Sequence, residues 1–189
     1  MGRYLMAAVL SVAALLGQEF RLGSKVDDFA LRDTSGSGVQ FASLRGPVTV
    51  VIFISTKCPV SNSYNDRMNA IYKDYSQRGV KFVFVNSNQG ESLQEVALHA
   101  RDHFSFVVYK DVDNVVADRF GATVTPEAFV IDATGTIRYH GSIDDSQIVQ
   151  RVQENRLRNV LDAVLEDKPV TAGETKAFGC SIKRVKKAS

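Results

Sequence analysis

The residues able to do chemistry are two cysteines, Cys58 and Cys180, far apart in the chain. Cys58 follows the apolar run Val48-Thr-Val-Val-Ile-Phe-Ile54 and precedes Pro59, so it falls where a strand covered on both faces ends and a helix begins. Unpaired N–H groups and the positive end of a helix favour thiolate there, Lys57 adds a cation alongside, and Pro59 presets the first helical turn. The same residue also reads as a small buried hydrophobe, but its position favours the nucleophile. Thr125-Pro126 opens another apolar strand, a place where proline fits only at the first residue or on an edge. A cis bond there exposes the carbonyl and N–H of Thr125 to an extended substrate lying beside the Cys58 sulfur, whereas a trans bond makes only a turn.

The elements that must position these groups follow from composition and periodicity. The chain has 189 residues, 44% hydrophobic and 23% charged, with 13 Gly and 4 Pro, which suits one globular domain burying about 70% of its unfolded surface. A formal net charge of +2 excludes a general nucleic-acid binder. Two cysteines are too few for a disulfide scaffold or an all-cysteine zinc site and enough for one redox pair. The charge-free apolar run Leu5–Leu16 behind Arg3 reads as a signal peptide over residues 1–17, cleaved before Gln18; a membrane anchor is the competing reading and the only route to a membrane partner. Export places the chain in an oxidising periplasmic or secreted setting.

Further along, the apolar pattern alternates between strand and helix, an α/β pattern with a central mixed sheet, helices on both faces and an extended lead-in over 29–41. The stripe Val60, Tyr64, Met68, Ile71, Tyr75 predicts one long helix ending at Gly79. A strand over 81–85 follows, then a helix opened by the capping box Ser92-Leu-Gln-Glu95, a strand over 106–109 and a brief helix over 114–120. Strands 126–131 and 136–139 form a hairpin, and a last helix carries Val149, Val152, Leu157, Val160, Leu161 and Val164. From Pro169 the chain reads as a flexible basic tail over 169–189, without an apolar stripe.

With these residues in view, the chain resembles the thioredoxin-like superfamily, in its redoxin branch of alkyl hydroperoxide reductase and thiol-specific antioxidant proteins, and within that a peroxiredoxin-like subgroup. The segments that carry the resemblance are Phe29-Ala-Leu-Arg-Asp-Thr-Ser-Gly36, Cys58-Pro-Val-Ser-Asn-Ser-Tyr64, Val85-Asn-Ser-Asn88 and Lys110-Asp-Val-Asp113, then Phe120 to Asp132, Tyr139 to Asp145, and Gly179-Cys-Ser-Ile-Lys183. The resemblance implies a thioredoxin-like redoxin domain over 18–168, Cys58 as nucleophile, and a cis Pro126 beside it. Two departures bear on activity. Ser61 stands where thioredoxins carry their second cysteine. Of the peroxiredoxin pattern only Ser55 is present, with Val51 in place of the proline and Thr125-Pro126 in the region of the arginine that stabilises charge on a leaving oxygen.

Cys180 then has three readings: a resolving thiol with Lys183 and Arg184 favouring its thiolate, a structural staple worth about 4 to 5 kcal/mol, or a free thiol. His99 and His103 have a spacing that binds metal, but without a catalytic glutamate they read as a solvated flank; Asp111-Val-Asp113 reads as a turn and cap rather than a calcium loop. No cofactor and no metal is expected. The leading function is a secreted thiol oxidoreductase acting on a protein disulfide, a small thiol or a peroxide, and recharged by a thioredoxin-type reductant. A peptide-binding module using the groove at Pro126, and a metallochaperone using Cys58 and a histidine, are the other classes.

Overall fold

The run at 48–54 becomes the central strand β3 (Val48–Ile54), every residue of which is buried. Side-chain alternation divides it between two cores: Val50, Ile52 and Ile54 face one, Val51 and Phe53 the other. The computed structural model describes residues 19–186, so the expected leader at 1–17 lies outside the described residues. Strand β3 pairs in parallel with β4 (Val80–Asn86) and antiparallel with β7 (Glu127–Ile131). With β1 (Ala30–Arg32), β2 (Gly38–Gln40), β5 (Val108–Lys110) and β8 (Ile137–Gly141), they form a mixed seven-stranded sheet of order β2-β1-β5-β4-β3-β7-β8. Two further strands, β6 (Val124–Thr125) and β9 (Cys180–Ser181), pair only with each other.

Helix α1 (Pro59–Asn62) starts directly beyond β3. Helices α2 (Asn65–Ser76), α3 (Leu93–His103) and α5 (Arg156–Leu165) cover one face, supplying Met68, Ile71, Val96, Leu157 and Leu161 to its core. On the other face α4 (Val115–Phe120) packs with an aromatic cluster in which Phe120 meets Phe20, Phe53 and Phe129 edge-on. The layered α/β arrangement matches the sequence expectation.

Three expectations need correction. The long helix after Cys58 is broken at Ser63–Tyr64: Ser63 Oγ donates to the Val60 carbonyl and Asn62 Nδ2 to that of Thr56, local bonds that compete with helix continuation. Tyr64, fully buried, donates instead to Asp144, which also pairs with Arg67 at 2.6 Å. The last helix begins at Arg156, not near Val149, because the Asp145 carboxylate accepts from the N–H groups of Gln153 and Glu154 and holds that stretch extended.

The third concerns the tail, whose described residues, 169–186, are docked across the domain. Gly173 and Thr175 exchange backbone bonds with His140 on β8, Phe178 packs against Tyr64, and Ile182, 5% exposed, is part of the aromatic core. Phe178, Cys180 and Ile182 alternate in period two, the pattern of a half-buried strand; the lysines around it and Gly179 mask that signal. Ile182→Ala is expected to lower the stability of the oxidised protein by about 3 kcal/mol in denaturant unfolding, as for other buried isoleucines. An unchanged midpoint would show that the core does not hold the tail.

Candidate active site

Cys58 is the residue capping α1, with extended backbone and 3% exposure. Its Sγ accepts from the Ser61 N–H at 3.3 Å, and the Thr125 carbonyl oxygen lies 3.4 Å away on the other side. Pro59 occupies the first helical position as expected. Because α1 is a single turn, the concrete anion-stabilising group at the sulfur is the Ser61 N–H rather than the dipole of a long helix. Lys57 points elsewhere: its ammonium donates to the Gly90 carbonyl and pairs with Glu95 at 2.8 Å. Lys57 and Ser92 in turn hold the Glu95 carboxyl down at about 2.

The Thr125–Pro126 peptide bond is cis. Thr125 pairs antiparallel with Cys180 and Val124 with Ser181, so the tail lies on the edge that the sequence reading reserved for an extended substrate. Cys180 is thereby brought onto Cys58: the two are joined by a disulfide, with Cα atoms 5.8 Å apart. The strap approaches so closely that a Cβ on Gly179 would overlap the Thr125 carbonyl. The Thr125–Pro126 edge is held from behind by Glu127, whose carboxylate accepts from the N–H groups of Thr123 and Val124 and is hydrogen-bonded to His140.

Beneath Cys58 lies a carboxylate that the sequence reading missed. Glu91, 5% exposed, accepts from Ser55 Oγ at 2.5 Å, from the Thr56 N–H at 2.8 Å and hydroxyl at 2.9 Å, and from Asn86 Nδ2 at 2.5 Å. Ser55 Oγ, its proton committed to Glu91, accepts from the Cys58 N–H at 3.0 Å. Burial pushes the Glu91 carboxyl up, but the bonds from Ser55, Asn86 and Thr56 outweigh it and hold the group below the ordinary glutamate value. The available signal was the polar run Asn86-Ser-Asn-Gln-Gly-Glu91 at the carboxyl end of a parallel strand beside the one ending at Cys58, where sites of α/β sheets collect.

Ser61, in place of the second thiol, accepts from the Ser55 N–H through its Oγ. Val51 sits mid-strand opposite Phe129, fully buried. Asp111 caps α4 through the N–H groups of Val116 and Ala117. His99 and His103 lie side by side on α3, and among the described residues no cluster of three or more metal-binding side chains occurs.

A model of the AhpC/TSA family matches residues 22–140, a span that takes in Cys58, Thr125 and Pro126. The chain belongs to the AhpC/TSA family. The match stops short of the strap that carries Cys180. Among the chain's relatives, the thiol-disulfide oxidoreductase ResA of Halalkalibacterium halodurans is 28% identical over 164 residues, covering 80% of this chain and 92% of that protein. The crystal structure of a hypothetical protein from Sinorhizobium meliloti is 30% identical, covers 89% of this chain and 97% of its own, and superposes with a TM-score of 0.81. Peroxidoxin BcpB of Mycobacterium tuberculosis shares the fold at 19% identity, with a TM-score of 0.59 over 79% of this chain and 98% of that one.

Two outcomes follow from this geometry. Gly179→Ala is expected to shift the glutathione equilibrium of the Cys58–Cys180 bond towards the dithiol, because the added methyl pushes the strap off Thr125; an unaltered equilibrium would show that the approach tolerates a side chain. Glu91→Gln is expected to destabilise the protein by about 1 to 3 kcal/mol at neutral pH, since an amide cannot accept through both atoms. The folded pKa of Glu91 is depressed, so its contribution is complete above the unfolded value of about 4.3 and is lost as pH falls through the folded value. The gap between wild type and variant should therefore close on acidification, and a gap that stays constant or widens would contradict the assignment.

Proposed function

We propose that this chain is an exported thiol–disulfide oxidoreductase that attacks with Cys58 and resolves with Cys180. The observation that carries this reading is the Cys58–Cys180 bond, formed on the strand edge beside cis-Pro126. The Cys58 thiolate, stabilised by the Ser61 N–H, attacks one sulfur of a protein disulfide; a Cys58–substrate bond forms and the second substrate sulfur leaves as thiolate. Cys180 thiolate then attacks Cys58 Sγ, forming the intramolecular disulfide and releasing the first substrate sulfur. A thioredoxin-type dithiol returns both cysteines to the reduced state and leaves as its own disulfide.

Thr125, whose edge the Cys180 segment occupies in the oxidised protein, offers its backbone to the extended substrate segment once the Cys58–Cys180 bond is open and that segment has moved off; Pro126 shapes the edge, and Pro59 sets the turn at Cys58. Export to a periplasmic or extracellular setting rests on the apolar Leu5–Leu16 run behind Arg3 and on the persistence of disulfides in oxidising compartments. Hydroperoxide reduction is the second reading: Cys58 thiolate would attack one peroxide oxygen, the O–O bond breaking with release of an alcohol or water, and Cys180 would then displace the oxygen left on Cys58 as water, forming the disulfide. Ser55 favours it, and Val51 and Thr125-Pro126 count against it.

Cys58→Ser is expected to abolish exchange, and Cys180→Ser to accumulate a mixed disulfide at Cys58 detectable by mass spectrometry. The wild-type rate with hydrogen peroxide should not exceed that of an ordinary thiolate. Full multi-turnover activity in Cys180→Ser without trapped intermediate would make the bond a structural staple; a peroxide rate far above that of a free thiolate would promote the peroxidase reading; intact peptide binding without exchange would make the domain a binding module.

A further inference from the structure

The two sulfurs are carried by segments with no sequence proximity, and both segments rest on one buried loop. Residues 86–91 leave the carboxyl end of β4 and fold under the site with Asn86, Ser87, Asn88 and Glu91 all buried. One end of the loop holds the Cys58 turn through Glu91 and Ser55. The other holds the strap. Asn88 Oδ1 accepts from the Lys183 N–H at 2.9 Å, and the Gln89 N–H donates to the Lys183 carbonyl at 2.9 Å, three residues beyond Cys180. Lys110 braces the loop internally, donating to Asn86 Oδ1 at 2.8 Å and to the Asn88 carbonyl at 2.7 Å. Asn114 extends the clamp, accepting from the Val185 N–H and donating to the Ser87 carbonyl.

We infer that Asn88 is a positioning residue for disulfide formation, fixing the Cys180 strap to the loop whose Glu91 fixes the Cys58 turn, so that one rigid element sets the register of the two sulfurs. The inference rests on the thiol–disulfide reading above. Its physical basis is preorganisation. Ring closure between distant cysteines is favoured in proportion to the fraction of time both are in bonding geometry, and a partly buried hydrogen bond between the loop and the strap raises that fraction. A side chain is needed at position 88 because the Asn88 backbone carbonyl already accepts from Lys110 and from the Glu91 N–H, leaving Oδ1 to receive the Lys183 N–H. The Asn88 Nδ2 is buried without a hydrogen-bond partner, so the acceptor is the half of the amide that acts on the strap.

The test is the equilibrium of the full chain with glutathione, in which Cys58 and Cys180 thiols plus one glutathione disulfide give the Cys58–Cys180 disulfide plus two glutathione thiols. Asn88→Ala is expected to lower this equilibrium constant about tenfold, the factor one lost, partly buried hydrogen bond corresponds to. Asn88→Asp keeps an acceptor at the same place, with Lys110 nearby as counter-charge, and is expected to recover most of the loss. In a Cys180→Ser background, Asn88→Ala should leave the pH profile of Cys58 alkylation unchanged, because the Glu91 arm is intact. A constant within twofold of wild type in Asn88→Ala overturns the inference. So does an Asn88→Ala variant that lowers unfolding stability without moving the equilibrium, which would make the residue merely structural. If wild type itself accumulates a Cys58–glutathione mixed disulfide and never closes the ring, the exchange reading fails, whatever the variants do.

Discussion

A cysteine at the end of a buried central strand, with serine three residues on, has no partner sulfur within reach of its own turn. That constraint organises the rest of the molecule. The partner has to come from elsewhere in the chain, and a thiol delivered from a distance is useful only if its backbone is held to within a few ångströms of bonding geometry. The strap at 170–185 meets this demand with the ordinary devices of a core: strand pairing on Thr125, the Ile182 side chain among aromatics, and backbone bonds to His140 at one end and to Asn88 and Asn114 at the other.

Polar groups under the site follow from the same constraint. A turn that carries a reactive sulfur cannot complete a regular ladder, so its N–H groups need acceptors inside the protein. Glu91 and Ser55 supply them, and they do so with a carboxylate because both oxygens face donors. Burial of that charge is offset by its hydrogen bonds, which also explains why Lys57 is free to pair outward with Glu95.

How much of this could be read from the sequence depended on whether the partners of each residue were local. The β3 run and Cys58 before Pro59 are self-contained signals, and the sheet and the capping cysteine appear where they point. Thr125-Pro126 by itself left cis and trans open, and the bond is the cis one that the family resemblance implied. The polar run holding Asn88 and Glu91 marked a place in the fold but not their roles, because each acts on a segment remote in sequence and nothing in their own neighbourhood names it. The helix break at Ser63 and the late start of α5 were hidden because the apolar spacing continues through both, while polar side chains, Asn62 and Ser63 at the break and Asp145 before α5, claim the backbone groups involved. Period two at Phe178, Cys180 and Ile182 was present but surrounded by residues typical of a solvated end.

The bond between Cys58 and Cys180 also changes the topology of the chain. In the oxidised protein residues 58–180 form a closed ring, joined just beyond the carboxyl end of the central strand, with β1 to β3 on the arm that precedes it. A chain pulled from its C-terminus transmits force straight to that strand, and the intervening segment, which would stretch to roughly 400 Å if open, stays slack. A processive unfolding machine entering from that end would thus meet two chain segments side by side where the ring closes, and its passage would depend on the redox state of the surroundings as well as on the stability of the fold.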